Sequence, residues 1–153
     1  MPLSSRRDAL YGALVLVVSP TVRATSQLMA AELLPLAIKG YDPVAYFTIG
    51  MPTLGLPDIE YEWDERRYRF SRPGHRELFK ADPVRYAPQF GEFCAMALAE
   101  GDRDEANPEY WLISDGKLYI FGKPPPLGPV LFQQDLAGNV AKANQNRPLI
   151  ERR

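Results

Sequence analysis

Tyr110 to Phe121 reads YWLISDGKLYIF, and this stretch decides the fold class. Two runs of β-branched and aromatic residues flank Asp115-Gly116. That dipeptide is favoured in two-residue hairpin turns, because both central positions need positive φ. Working outward, Ile59 to Phe70 (IEYEWDERRYRF) alternates in the same manner: Ile59, Tyr61 and Trp63 share one face, and Tyr68 and Phe70 resume it after Asp64-Glu65. This is a second hairpin with one buried face. Between and around the hairpins the period changes. Ser71 to Ala81 starts with a Ser cap and an early Pro and places Leu78 and Phe79 on one helical face. Phe93 to Glu100 (FCAMALAE) is a short helix with Cys94, Ala97 and Leu98 together, ended by Gly101. Val130 to Asn144 is helix-compatible, although Gly138 weakens it by about 1 kcal/mol relative to Ala. Val84 to Gly91 reads as an aromatic loop, and Gly50 to Pro57 as a Gly/Pro loop. No internal repeat is visible. The expectation is a small single α+β domain with two β-hairpins interleaved with short helices.

The N-terminus reads differently. Arg6-Arg7 precede the apolar run Leu10 to Val18, Pro20 breaks it, and Val22-Arg23-Ala24 offers small residues at a cleavage site. This is the three-part layout of a secretory signal. The run is about half of the roughly 20 residues that a spanning helix needs. Ser5 to Leu10 also resembles a twin-arginine export motif. The expected organisation is a signal over residues 1–24, a lead-in helix over 25–35, and a domain over 36–150, exported to a periplasmic or external compartment without an integral membrane segment.

Composition restricts the chemistry. In 153 residues, 18 Lys and Arg stand against 19 Asp and Glu, with one His and one Cys. One Cys excludes an internal disulfide and four-thiolate zinc sites, and one His excludes paired-histidine sites. Near-zero charge gives no case for nucleic acid. In an oxidising compartment a lone exposed thiol is a liability, so Cys94 is expected to be buried, a ligand, or reactive by purpose. Three readings of it stand: small buried hydrophobe, soft-metal ligand, and nucleophile. His75 is either a solvated or capping residue, or an imidazole ligand suited to copper or zinc. Met96 diverges from Cys94 by about 200° if both lie on one helix, and becomes a co-ligand only if the helix starts later. Met51, in the Gly/Pro loop, is a third candidate ligand. Asp42 either binds metal or fixes the Asp-Pro turn. Arg66, Arg67, Arg69 and Arg72 read as a solvated face, and no paired carboxylates point to acid/base catalysis.

Several ordered motifs carry a family resemblance. KGYDPVAYF at Lys39–Phe47, with Tyr41, Asp42, Pro43 and Tyr46 as its signature, resembles the opening of exported YHS-domain proteins. HRELF (His75–Phe79), ADPVRYAPQFGEFCAMALAEG (Ala81–Gly101), WLISDGKLYIF and GNVAKANQNRP continue it over roughly 36–148. The resemblance implies an α+β domain and a role in metal handling, because related modules coordinate metal through cysteines. This chain has Ala45 where cysteine-rich relatives carry Cys, and lacks their later Cys pair. The leading expectation is a non-enzymatic, exported, copper-binding or copper-handling protein with Cys94 as first ligand and His75 as second. The alternative is a metal-free module for a periplasmic protein partner, with Cys94 in the core. A Cys94–His75 thiol enzyme is a third possibility.

Overall fold

The computed structural model describes residues 34–152. The expected signal and most of the lead-in helix lie outside the described residues. Ten elements follow a turn at Ala37–Gly40: α1 (Ala45–Thr48), β1 (Leu56–Trp63), β2 (Arg66–Phe70), α2 (Pro73–Ala81), α3 (Pro83–Tyr86), α4 (Ala95–Glu100), β3 (Asn107–Ser114), β4 (Lys117–Phe121), α5 (Pro129–Gln134) and α6 (Leu136–Ile150). The strands form two antiparallel hairpins, β1–β2 and β3–β4. This is the α+β architecture expected from the alternating runs. Among the described residues no helix is long and apolar enough to cross a membrane.

The chain builds the same unit twice, αββαα followed by αββαα, although its sequence reads as free of repeats. The two hairpins have one register: every Cα pair of β3–β4 is a pair of β1–β2 shifted by 51 residues, including the irregularity between Leu56 and Glu60 and that between Asn107 and Trp111. Both turns have positive φ at their two central residues, Asp64-Glu65 and Asp115-Gly116, as a primed turn requires. Ahead of the hairpins, Asp42 N–H donates to the Thr53 carbonyl and Gly55 N–H to that of Gly40. In the second copy Cys94 N–H donates to Asp104 and Ala106 N–H to Glu92. Behind them, Phe79 of α2 packs on Tyr68 and Phe70, and Phe132 of α5 on Tyr119 and Phe121. Asp82 and Asp135 then cap α3 and α6 through the N–H three residues on, each at 3.2 Å.

Each copy has its own core. Val44, Tyr46, Tyr68, Phe70 and Phe79 anchor the first, and Ala95, Leu98, Phe121, Phe132 and Ala143 the second. Strand β4 joins them because side chains alternate across a strand: Leu118 and Ile120 enter the first core, Tyr119 and Phe121 the second.

Local departures from the sequence reading have physical causes. Ser71 does not cap α2; Arg72 is the cap residue and makes no side-chain bond, because the Ser71 hydroxyl is turned to Asp42. Leu78 is 43% exposed while Phe79 is fully buried, so the packing face of α2 runs through His75 and Phe79. Val84 belongs to α3 rather than to a loop. The C-terminal helix is two helices, since Asp135 leaves the helical region and caps α6. Gly101 ends α4 at φ 82° as expected, and Asn146 of α6 donates to the Leu98 carbonyl at 2.8 Å, beside the Gly101 N–H.

Candidate functional site

Asp42, fully buried, organises the first copy. Its Oδ1 accepts from the N–H groups of Val44 (2.9 Å) and Ala45 (3.2 Å) at the start of α1; the Val44 N–H would otherwise be orphaned, while that of Ala45 is shared with the Asp42 carbonyl. Its Oδ2 accepts from Ser71 N–H (2.8 Å) and Oγ (2.7 Å), and lies 2.6 Å from His75 Nδ1. The second ring nitrogen, Nε2, is 3.0 Å from Thr48 Oγ1. Thr48 is also 3.0 Å from the Val44 carbonyl. The hydroxyl has one hydrogen. Directed at Val44, it leaves Nε2 to donate. Directed at Nε2, it leaves the Val44 carbonyl to the Thr48 N–H at 3.1 Å. Either arrangement pairs every polar atom, as burial demands.

Asp42, His75 and Thr48 are thus spaced like a carboxylate–imidazole–hydroxyl relay. The N–H groups that follow Thr48, those of Ile49 and Gly50, both donate to the Ala45 carbonyl, so they are not aimed at an oxyanion. The quartet clamps α1 to the start of α2. Asp42 does fix the Asp-Pro turn, and Pro43 beside it is fully buried.

Cys94 occupies the matching place in the second copy. It has extended backbone and caps α4, whose first helical residue is Ala95. Its Sγ accepts from Ala97 N–H at 3.4 Å, as Asp42 does from Ala45. The helix therefore starts one residue after Cys94, and Cys94 and Met96 line one cavity of about 300 Å³. Glu100, Asp104, Lys123 and Leu127 also line it. Cys94 itself is 4% exposed.

The three ligands expected from sequence are not assembled. His75 has a partner on each nitrogen, Met51 is 56% exposed on the loop after α1, and neither lines the Cys94 cavity. Among the described residues no group of three or more His, Cys, Asp and Glu side chains is placed to hold a metal ion. The cavity's own sulfurs, Cys94 and Met96, have the softness that suits copper(I).

The remaining signature residues are structural. Tyr46 Oη donates to the Pro108 carbonyl at 2.7 Å, tying α1 to β3, and burial raises its pKa. Tyr41 Oη donates to Glu109 at 2.8 Å, and this bond, with lesser help from burial and the Glu109 charge, raises its pKa. Arg67 and Arg69 share Glu60 across the first hairpin rather than standing free in solvent.

Glu92 had no signal in the sequence. Both its oxygens accept from Ile38 N–H, at 2.9 and 3.0 Å. Ile38 and Lys39 have φ of 39° and 52°, a conformation that a β-branched residue rarely adopts, and the Glu92 carboxylate holds it. Burial raises the Glu92 pKa against the lowering effect of the Ile38 bond and nearby Arg66. Comparisons with protein-family models, curated proteins and solved structures find no match.

Proposed function

We propose that the chain is an exported binding protein of the YHS type, acting without turnover, that takes a soft metal ion, copper(I), on Cys94 with Met96 as the second sulfur. The observation that carries this reading is the late start of α4, which puts the thiol and the thioether on the wall of one cavity. Thiolate and thioether together select copper(I) over magnesium or calcium. His75 and Met51 have no part in it. The test is anaerobic titration of the full chain with copper(I) against a chromogenic chelator. Cys94→Ser is expected to abolish binding and Met96→Leu to weaken it, while His75→Asn binds as the wild type does. Equal affinity in wild type and Cys94→Ser overturns the reading.

The burial of Cys94, and its hydrogen bond as a cap, favour a second reading: a metal-free interaction module in which Cys94 is a core residue. It predicts slow reaction of the native protein with thiol reagents and no competition with the chelator.

A further inference from the structure

The two copies differ where the first holds a buried imidazole. Hydrogen bonds that match between the copies give the correspondence. Asp42 pairs with Cys94 and Thr48 with Glu100, because the Asp102 N–H bond to Ala97 repeats that of Gly50 to Ala45. Ser71, one residue beyond the first hairpin, pairs with Gly122, one residue beyond the second. Phe79 and Phe132, with the caps Asp82 and Asp135, set the last part in register, and in that register His75 falls on Gly128. The four residues of the buried quartet thus become Cys94, Gly122, Gly128 and Glu100. Helix α5 begins after Gly128, so the turn that carries His75 in the first copy is absent from the second.

The second copy has no room for a ring of its own at that position. A Cβ on Gly128 would lie 2.3 Å from the Lys123 carbonyl oxygen and 2.9 Å from Phe121 Cβ. Beside it, between the Cys94 cap and Glu100, is the cavity of about 300 Å³. We propose that this cavity accepts an imidazole ring supplied from outside the chain. The ring lies against Cys94 and Glu100, the register partners of Asp42 and Thr48, which His75 touches in the first copy. Its N–H donates to the Glu100 carboxylate, and its other nitrogen accepts from Lys123. This rests on the Cys94 cavity being the binding site, and it does not require metal.

The full chain, kept metal-free with a chelator, is titrated with imidazole and followed by ¹H–¹⁵N spectra. Saturable shifts are expected at residues around Cys94, Met96 and Glu100. Glu100→Gln should weaken binding about tenfold, the effect of losing one charge-assisted hydrogen bond, and 1-methylimidazole, which lacks the N–H, should bind more weakly by a similar factor. Free L-histidine and N-acetylhistidine methylamide separate the sources. Tighter binding of the free amino acid marks a small-molecule site, and tighter binding of the capped form marks a partner's histidine. His75→Gly opens the same space in the first copy, and imidazole should raise its melting temperature. No saturable shift at the cavity, an unchanged affinity in Glu100→Gln, or no rescue of His75→Gly overturns the proposal. Because copper is absent, a failed copper titration leaves this result standing, and the reverse also holds.

Discussion

Asp42→Ala is a perturbation that the structure makes costly. It removes the acceptor of five hydrogen bonds, from Val44 N–H, Ala45 N–H, Ser71 N–H, Ser71 Oγ and His75 Nδ1. It strands all of these donors except Ala45 N–H, which keeps the carbonyl of residue 42, at a site where Asp42 is fully buried and His75 is 4% exposed. Breaking a buried pair from one side costs about 3–5 kcal/mol, and we expect Asp42→Ala to fall in that range. Asp42→Asn keeps an oxygen for the α1 N–H groups but turns an amide NH₂ toward Ser71 and His75, for a loss of about 2 kcal/mol. The corresponding change in the second copy, Cys94→Ala, removes one long N–H···S bond and should cost about 1 kcal/mol, as for an ordinary helix cap. Urea unfolding of all three at neutral pH, followed by tryptophan fluorescence and circular dichroism, gives the values if the slopes agree. Asp42→Ala costing no more than Cys94→Ala would refute the claim that the first copy is clamped by this carboxylate.

Other outcomes follow from the same geometry. Glu92 has a folded-state pKa raised by burial, so its contribution to stability is present below the ordinary glutamate range and is lost as pH rises through its raised value. Glu92→Gln keeps an acceptor for Ile38 and should therefore be more stable than wild type at pH 7, with the gap closing under acid. Melting curves at both ends of that range check the sign. Phe79→Ala and Phe132→Ala, each emptying one fully buried core position, should each cost about 3–5 kcal/mol in denaturant titrations. Gly101→Ala, at φ 82° with only Asn146 Nδ2 near its Cβ, at 3.7 Å, should lose about 1 kcal/mol through backbone strain alone.

The hairpins were legible because they are governed locally. Strict alternation and a turn pair fix a strand register within a dozen residues, and Gly101 likewise marks a helix end. The repeat was hidden because the copies retain few identities. Asp64 and Asp115 persist at the turns, Tyr68 and Tyr119 and Phe70 and Phe121 at inward positions, and Pro57 and Pro108 near the strand starts. The shift between copies also moves by a residue or two at the loops, so no fixed period survives. The site was illegible for a different reason. His75 meets Asp42 across 33 positions and Glu92 meets Ile38 across 54, and nothing near either residue announces its partner. Met96 could be placed only once the first helical residue of α4 was known, since one residue of helix start decides whether it faces the same space as Cys94. The break at Asp135 was hidden because a cap and not a helix breaker makes it.

The most direct test of the central claim is the copper content of the full chain purified without added metal from copper-replete cells, compared with Cys94→Ser and His75→Asn. Copper retained by wild type and His75→Asn but lost from Cys94→Ser is the predicted result. Wild type without copper, or equal copper in Cys94→Ser, would contradict the assignment of the Cys94 cavity as a metal site.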